Sequence, residues 1–172
     1  MTWTSYHHRG EVLRAAMAAA DERRDGRLPM DIDGVREKFA DELDLLGAMQ
    51  LRWHTAFAGR IEHELAEQPM DLEAAVIAAW HRAADAMPGV RLVLDSYMEH
   101  PTDERMARAM TKAAAKEQIM IAAMAGRGAP LDELAIPVGR RIEEAARATY
   151  VPAPPAPERV SLLDRIRSAL AA

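Results

Sequence analysis

The chain has 172 residues, a formal net charge of −5 and no cysteine. That length suits one ordinary domain with a core of its own, and the lack of thiols excludes disulfides, thiolate zinc sites and cysteine nucleophiles. Mixed, mildly acidic charge argues against a general phosphate-binding surface, so nucleic acid is not expected as a partner.

Apolar residues make up 49% of the chain but aromatics only 5%, and 11 methionines together with many alanines carry much of the apolar content. Both residue types favour helix, and no run of Val, Ile, Thr and aromatics has the alternation of a strand. The expected fold class is all-α: an up-down helical bundle of five or six helices over residues 1–150. A Pro-rich linker, 151–159, and a short amphipathic helix, 160–172, follow it. The segment MTWTSYHHRGE lacks the apolar core of a signal peptide, and no stretch approaches ~20 uninterrupted apolar residues. A cytoplasmic protein without membrane attachment is expected.

In chain order, the first helix is expected over residues 5–25, ended by Gly26. The next element organises the rest. In DGVREKFADELDLLGAMQLRWHTAFAGRIEHELAEQ, the residues Val35, Phe39, Leu43, Leu46, Trp53, Phe57 and Ile61 recur at three, four and seven. That spacing places them on one stripe of a helix over 34–68, about 50 Å long if unbroken. Asp33 is the expected N-cap. Gly47 and Gly59, each costing about 1 kcal/mol relative to Ala inside a helix, mark close crossings or a break into two collinear helices. Further helices are expected over 72–87, 90–99, 102–125 and 138–150, separated at Pro88-Gly89, His100-Pro101 and GRGAPLDELAIP. A helix of the length expected for 34–68 exceeds what one small bundle covers, so a homodimer is an expected assembly.

Two constellations carry chemistry. Gln50 and His54 interrupt the stripe of the long helix, and Glu117 interrupts the inner face of the 102–125 helix. Packed together, these three can form a hydrogen-bond network that fixes helix register, or a site for a proton, a metal or a small ligand. A di-metal centre of the ferritin-like kind needs Glu-x-x-His pairs on facing helices, and the chain has none. His-Glu-x-x-His, a phosphate-cradling glycine loop and a Gly-x-Ser-x-Gly elbow are missing as well. Single-metal or haem ligation through His54 or His81 stays open, with His63, His81 and His100 expected in solvent. His7-His8 reads as part of an N-terminal segment with weak metal affinity at most.

The second constellation is VPAPPAPE followed by SLLDRIRSALAA. Leu162, Leu163, Ile166, Ala169 and Leu170 share one helical face; Asp164, Arg165 and Arg167 share the other. A helix this short is unstable alone in water and needs a surface: a protein groove, its own bundle, or a membrane. With only two Arg against one Asp, membrane attraction is weak. The layout resembles the cargo tails that carry proteins into bacterial protein compartments, a resemblance confined to residues 151–172. The leading functional expectation is a non-enzymatic interaction or adaptor protein that docks a protein partner through Leu162, Leu163, Ile166 and Leu170. The alternative is a bundle binding a small ligand, metal or haem at Gln50, His54 and Glu117, in a sensor or redox role.

Overall fold

A computed structural model describes residues 3–152, with side chains from His8 onward. All regular structure among the described residues is helical. The helices are α1 (Trp3–Arg23), α2 (Val35–Lys38), α3 (Glu42–Ala66), α4 (Leu72–Ala86), α5 (Pro88–Glu99), α6 (Glu104–Met124) and α7 (Ile136–Thr149), with a 3-10 turn at Glu133–Ala135 before α7. The helical bundle expected from composition is therefore present, with seven described helices instead of five or six. The extra helix is the single turn α2.

That turn corrects the expected helix over 34–68. The stripe is real: Val35, Phe39, Leu46, Trp53, Phe57 and Ile61 are all buried. The backbone nonetheless breaks at residues 39–41, where Phe39 and Asp41 are extended. Asp41, not Asp33, caps the long helix. Its carboxylate accepts the Asp44 N–H at 2.9 Å, while Asp44 accepts the Ala40 N–H at 3.1 Å. This exchange satisfies donors that a helix start leaves free. Arg9 of α1 grips the same corner. It donates to both Asp44 oxygens at 2.8 and 3.2 Å and to the Lys38 carbonyl at 2.6 Å, and lies 4.3 Å over the Phe39 ring. Asp33 is exposed, and Gly34, at φ 78, opens α2 with no side-chain cap. Gly47 and Gly59 sit inside α3 without interrupting it, and no neighbour crowds either one.

The close crossings use other glycines. A Cβ on Gly89 would lie 1.8 Å from the Ala20 carbonyl oxygen, and one on Gly139 would lie 1.8 Å from that of Gln118. These two positions let α5 press on α1 and α7 press on α6. Asp21 of α1 reinforces the first crossing by accepting the Gly89 and Val90 N–H groups at 2.8 and 3.1 Å. It thereby caps α5 from a neighbouring helix, where Met87 offers no side-chain acceptor. Pro88 occupies the first turn of α5, where a missing N–H costs nothing.

α3 runs through the core and packs most extensively on α4. Trp53 and Phe57 meet at 6.2 Å, and Trp53 and Trp80 at 6.0 Å in an edge-to-face arrangement. Tyr150 closes the row against Trp80 at 5.5 Å. Such pairs contribute about 0.5–1.5 kcal/mol each beyond their area. They fix α3, α4 and the end of α7 around one aromatic centre. No helix among the described residues is long and apolar enough to cross a membrane.

Candidate functional site

Trp53 sets up the polar centre, because its indole N–H is buried with the ring and needs an acceptor. Glu117 supplies it. Oε1 of Glu117 accepts from Trp53 Nε1 at 3.1 Å, and Oε2 accepts from Gln50 Nε2 at 3.1 Å. Trp53 and Gln50 lie three residues apart on α3, so both donors face one carboxylate on α6. Arg91 of α5 adds a guanidinium 3.8 Å from Oε1, and the same group lies 4.7 Å over the Trp53 ring. Glu117 is only 3% exposed.

The network continues outward. Arg91 donates to Asp95 at 2.7 Å, and Arg147 of α7 donates to both Asp95 oxygens at 2.9 and 3.0 Å. Arg147 also reaches Glu143 at 2.8 Å, and buried Gln118 donates to Glu143 at 3.3 Å. Four helices are tied together by these side chains. A cavity of about 130 Å³ lies among them, bounded in part by Gln50, Arg91, Met98, Glu117 and Arg147.

Charge explains the protonation tendencies. Two guanidinia face three carboxylates, so one carboxylate lacks a full partner. Burial pushes Glu117 above its ordinary value; Arg91 and the Trp53 N–H pull against that, Glu143 adds to it, and His54 acts only weakly. Burial also works to raise Asp95, but Arg91 and Arg147 outweigh it and hold its carboxyl below the usual range. Burial lowers the Arg147 guanidinium, yet Asp95 and Glu143 more than offset that and keep it firmly charged. With Glu117 neutral the cluster balances. A protonated Glu117 becomes a donor, and Gln50 can meet it by turning its carbonyl oxygen inward in place of its NH₂.

Of the residues singled out from sequence, Gln50 and Glu117 are therefore in direct contact. His54 lies one turn further along α3, half-buried, outside the hydrogen-bond network. It lines a separate apolar cavity with Gln50. His81 departs from the expected solvated state. Its Nε2 lies 2.8 Å from the Ala146 carbonyl oxygen, which can only accept, and its ring packs on Trp80 and Tyr150. His63 and His100 are exposed as expected. His8 is exposed beside Glu11, and the His7 side chain lies outside the described residues. No group of three His, Asp or Glu placed to hold a metal occurs among the described residues. Leu162, Leu163, Ile166 and Leu170 also lie outside the described residues.

Arg91, Asp95, Glu143 and Arg147 were missed as members of the centre. Their signal was the four-residue spacing of Arg91 to Asp95 and of Glu143 to Arg147. On one helix that spacing reads equally as a solvated ion pair. Only the partner helices turn it inward. Compared with protein-family models, curated proteins and solved structures, the chain gives no match.

Proposed function

We propose that the protein is a non-enzymatic interaction or adaptor protein, a helical scaffold that docks a protein partner through residues 160–172. The observation that carries this reading is the order of the sequence after Tyr150. Four prolines in six residues, Pro152 to Pro157, precede a segment whose Leu162, Leu163, Ile166 and Leu170 need a surface to cover them. The bundle supports the reading from the other side. In its polar centre each carboxylate meets a guanidinium or two neutral donors, with Arg91 Nε a buried donor left without a partner, and a network so largely engaged with itself serves to fix helix register.

The test is affinity capture from the native host's lysate, comparing the full chain with a Leu163→Glu/Ile166→Glu variant. Partners retained by the full chain and lost from the variant support the reading. Identical capture by both removes it.

A second reading has one observation in its favour: the cavity of about 130 Å³ that touches Gln50 and Glu117. It fits a very small polar ligand. Cofactor pockets run to about 300–1,000 Å³; this cavity is smaller, whereas the separate one of about 510 Å³ beside Gln50 and His54 falls within that range. Native mass spectrometry and elemental analysis of the purified protein test this alternative; a stoichiometric retained molecule lost in Glu117→Gln would favour it over the scaffold reading.

A further inference from the structure

Among the described residues, α3 presents one face that its neighbours cover only in part. Leu43, Gly47 and Leu51 follow one another at four-residue steps along it, and Leu51 is 65% exposed. A Cβ on Gly47 would meet nothing within 4 Å, so the glycine leaves a notch between two leucines. Cavities of about 560 and about 510 Å³ flank this ridge, and Leu43, Gly47 and Leu51 line both of them. The far wall of the first is Arg9, Gly10 and Leu13 of α1; that of the second is Ala109, Met110 and Ala113 of α6. The two lie on either side of the ridge and share its residues, and together they make up the α3 channel. From Leu43 to Thr55 it is about 18 Å long at 1.5 Å per residue.

The segment 160–172 matches the channel in length and pattern. As a helix its 13 residues measure about 20 Å. Leu162, Ile166 and Leu170 repeat every four residues, the same step as Leu43, Gly47 and Leu51. Ridges of that step interdigitate when two helices cross. The linker can also reach. Tyr150 is fixed to Asp85 at the end of α4 by a 3.0 Å hydrogen bond. The adjoining corner between α4 and α5 is held by Asp21 of α1. From Asp21 back to Arg9 is about 18 Å along α1, and nine residues of extended Pro-rich linker span about 28 Å.

We propose that residues 160–172 occupy the α3 channel of their own chain, with Leu162, Ile166 and Leu170 against Leu43, Gly47 and Leu51, until a partner displaces them. This rests on the reading of the segment as a docking element and adds its regulation: the surface that shelters it competes with the partner.

The chain has no cysteine, so a single nitroxide can be placed on the intact protein through Ser168→Cys. Ser168 lies four residues after Asp164, on the polar side of the segment. The expected result is paramagnetic broadening of Leu43, Leu51 and Met110 methyl signals to below half intensity, with Leu131 and Leu134 unaffected. Leu51→Glu, a change at an exposed position, should abolish the broadening while circular dichroism stays unchanged. Gly47→Leu, which fills the notch, should do the same. Mixing isotope-labelled chain with unlabelled spin-labelled chain should give no broadening. Absence of broadening in the parent, its survival in both channel variants, or its appearance in the mixed sample would each overturn the proposal. The last outcome would mean exchange of the segment between copies. Partner capture by the Leu51→Glu chain separates the two claims, because it should be kept or increased if the docking reading holds, whatever happens in the channel.

Discussion

The indole N–H of Trp53 and the carboxylate of Glu117 meet at 3.1 Å, joining residues 64 positions apart. Glu117 is the acceptor that the Trp53 indole meets in the core, so the contact makes the side chain at 117 a structural determinant. Glu117→Ala should cost about 3 kcal/mol in chemical denaturation, because the Trp53 and Gln50 donors would be left unmet at about 1–3 kcal/mol each. Glu117→Gln keeps an oxygen for one of them and should cost less than half as much.

The pH dependence of stability should carry two opposite signatures. A carboxyl whose pKa is raised on folding binds its proton more tightly in the native state, so its contribution falls as pH rises. For Glu117 that fall begins at the ordinary value of 4.5 and continues upward through the native value. Glu117→Gln should therefore gain on the parent as pH rises above 4.5. Asp95 is depressed below 3.8, so its contribution is present above that value and is lost as pH falls through the native one. Asp95→Asn should be destabilised most near neutrality and converge on the parent in acid. Urea midpoints measured between pH 3 and 8 would test both signs.

Two glycines should respond oppositely to alanine. At Gly89 the new Cβ would fall 1.8 Å from the Ala20 carbonyl oxygen, a backbone atom that cannot step aside. Separation of α1 from α5 should lower stability by about 3 kcal/mol or more, the range of severe core overpacking. At Gly47 nothing lies within 4 Å, and the helix should gain up to about 1 kcal/mol from the better helix former. Thermal denaturation of the two single variants gives the comparison.

The start of the long helix should be visible in a similar pair. Asp41→Ala removes the cap of α3 and should cost about 1 kcal/mol. Asp33→Ala changes an exposed residue that caps nothing and should stay within about 0.5 kcal/mol of the parent. The same denaturation assay separates them.

Helix class and most helix positions were legible because periodicity and proline punctuation agree along the chain. Pro88-Gly89 and His100-Pro101 separate helices as expected, although α5 begins at Pro88 itself and Asp103, rather than Thr102, caps α6. The break at 39–41 was harder to see. The apolar stripe continues across it, since Val35 and Phe39 remain buried after the backbone turns. The signal was Asp41 followed three residues later by Asp44, a pairing that resembles a capping box. It was masked by the regular spacing of the apolar residues. Glu117 and Gln50 stood out because each interrupts an apolar stripe. Arg91, Asp95, Glu143 and Arg147 did not, because a charge beside an apolar face looks the same whether it meets solvent or another helix. His81 was obscured similarly: its acceptor is a backbone carbonyl on α7, which no side-chain pattern reveals.

The most direct test of the account transfers the segment. Residues 151–172 are fused to an inert carrier protein and used for capture from the host lysate, beside the full chain and beside a carrier bearing the same segment with Leu162, Leu163, Ile166 and Leu170 all changed to alanine. The carrier with the native segment should retain the partner that the full chain retains, and the alanine version should retain none. A partner held by the full chain but not by the native-segment carrier would place recognition in the bundle and contradict the docking reading.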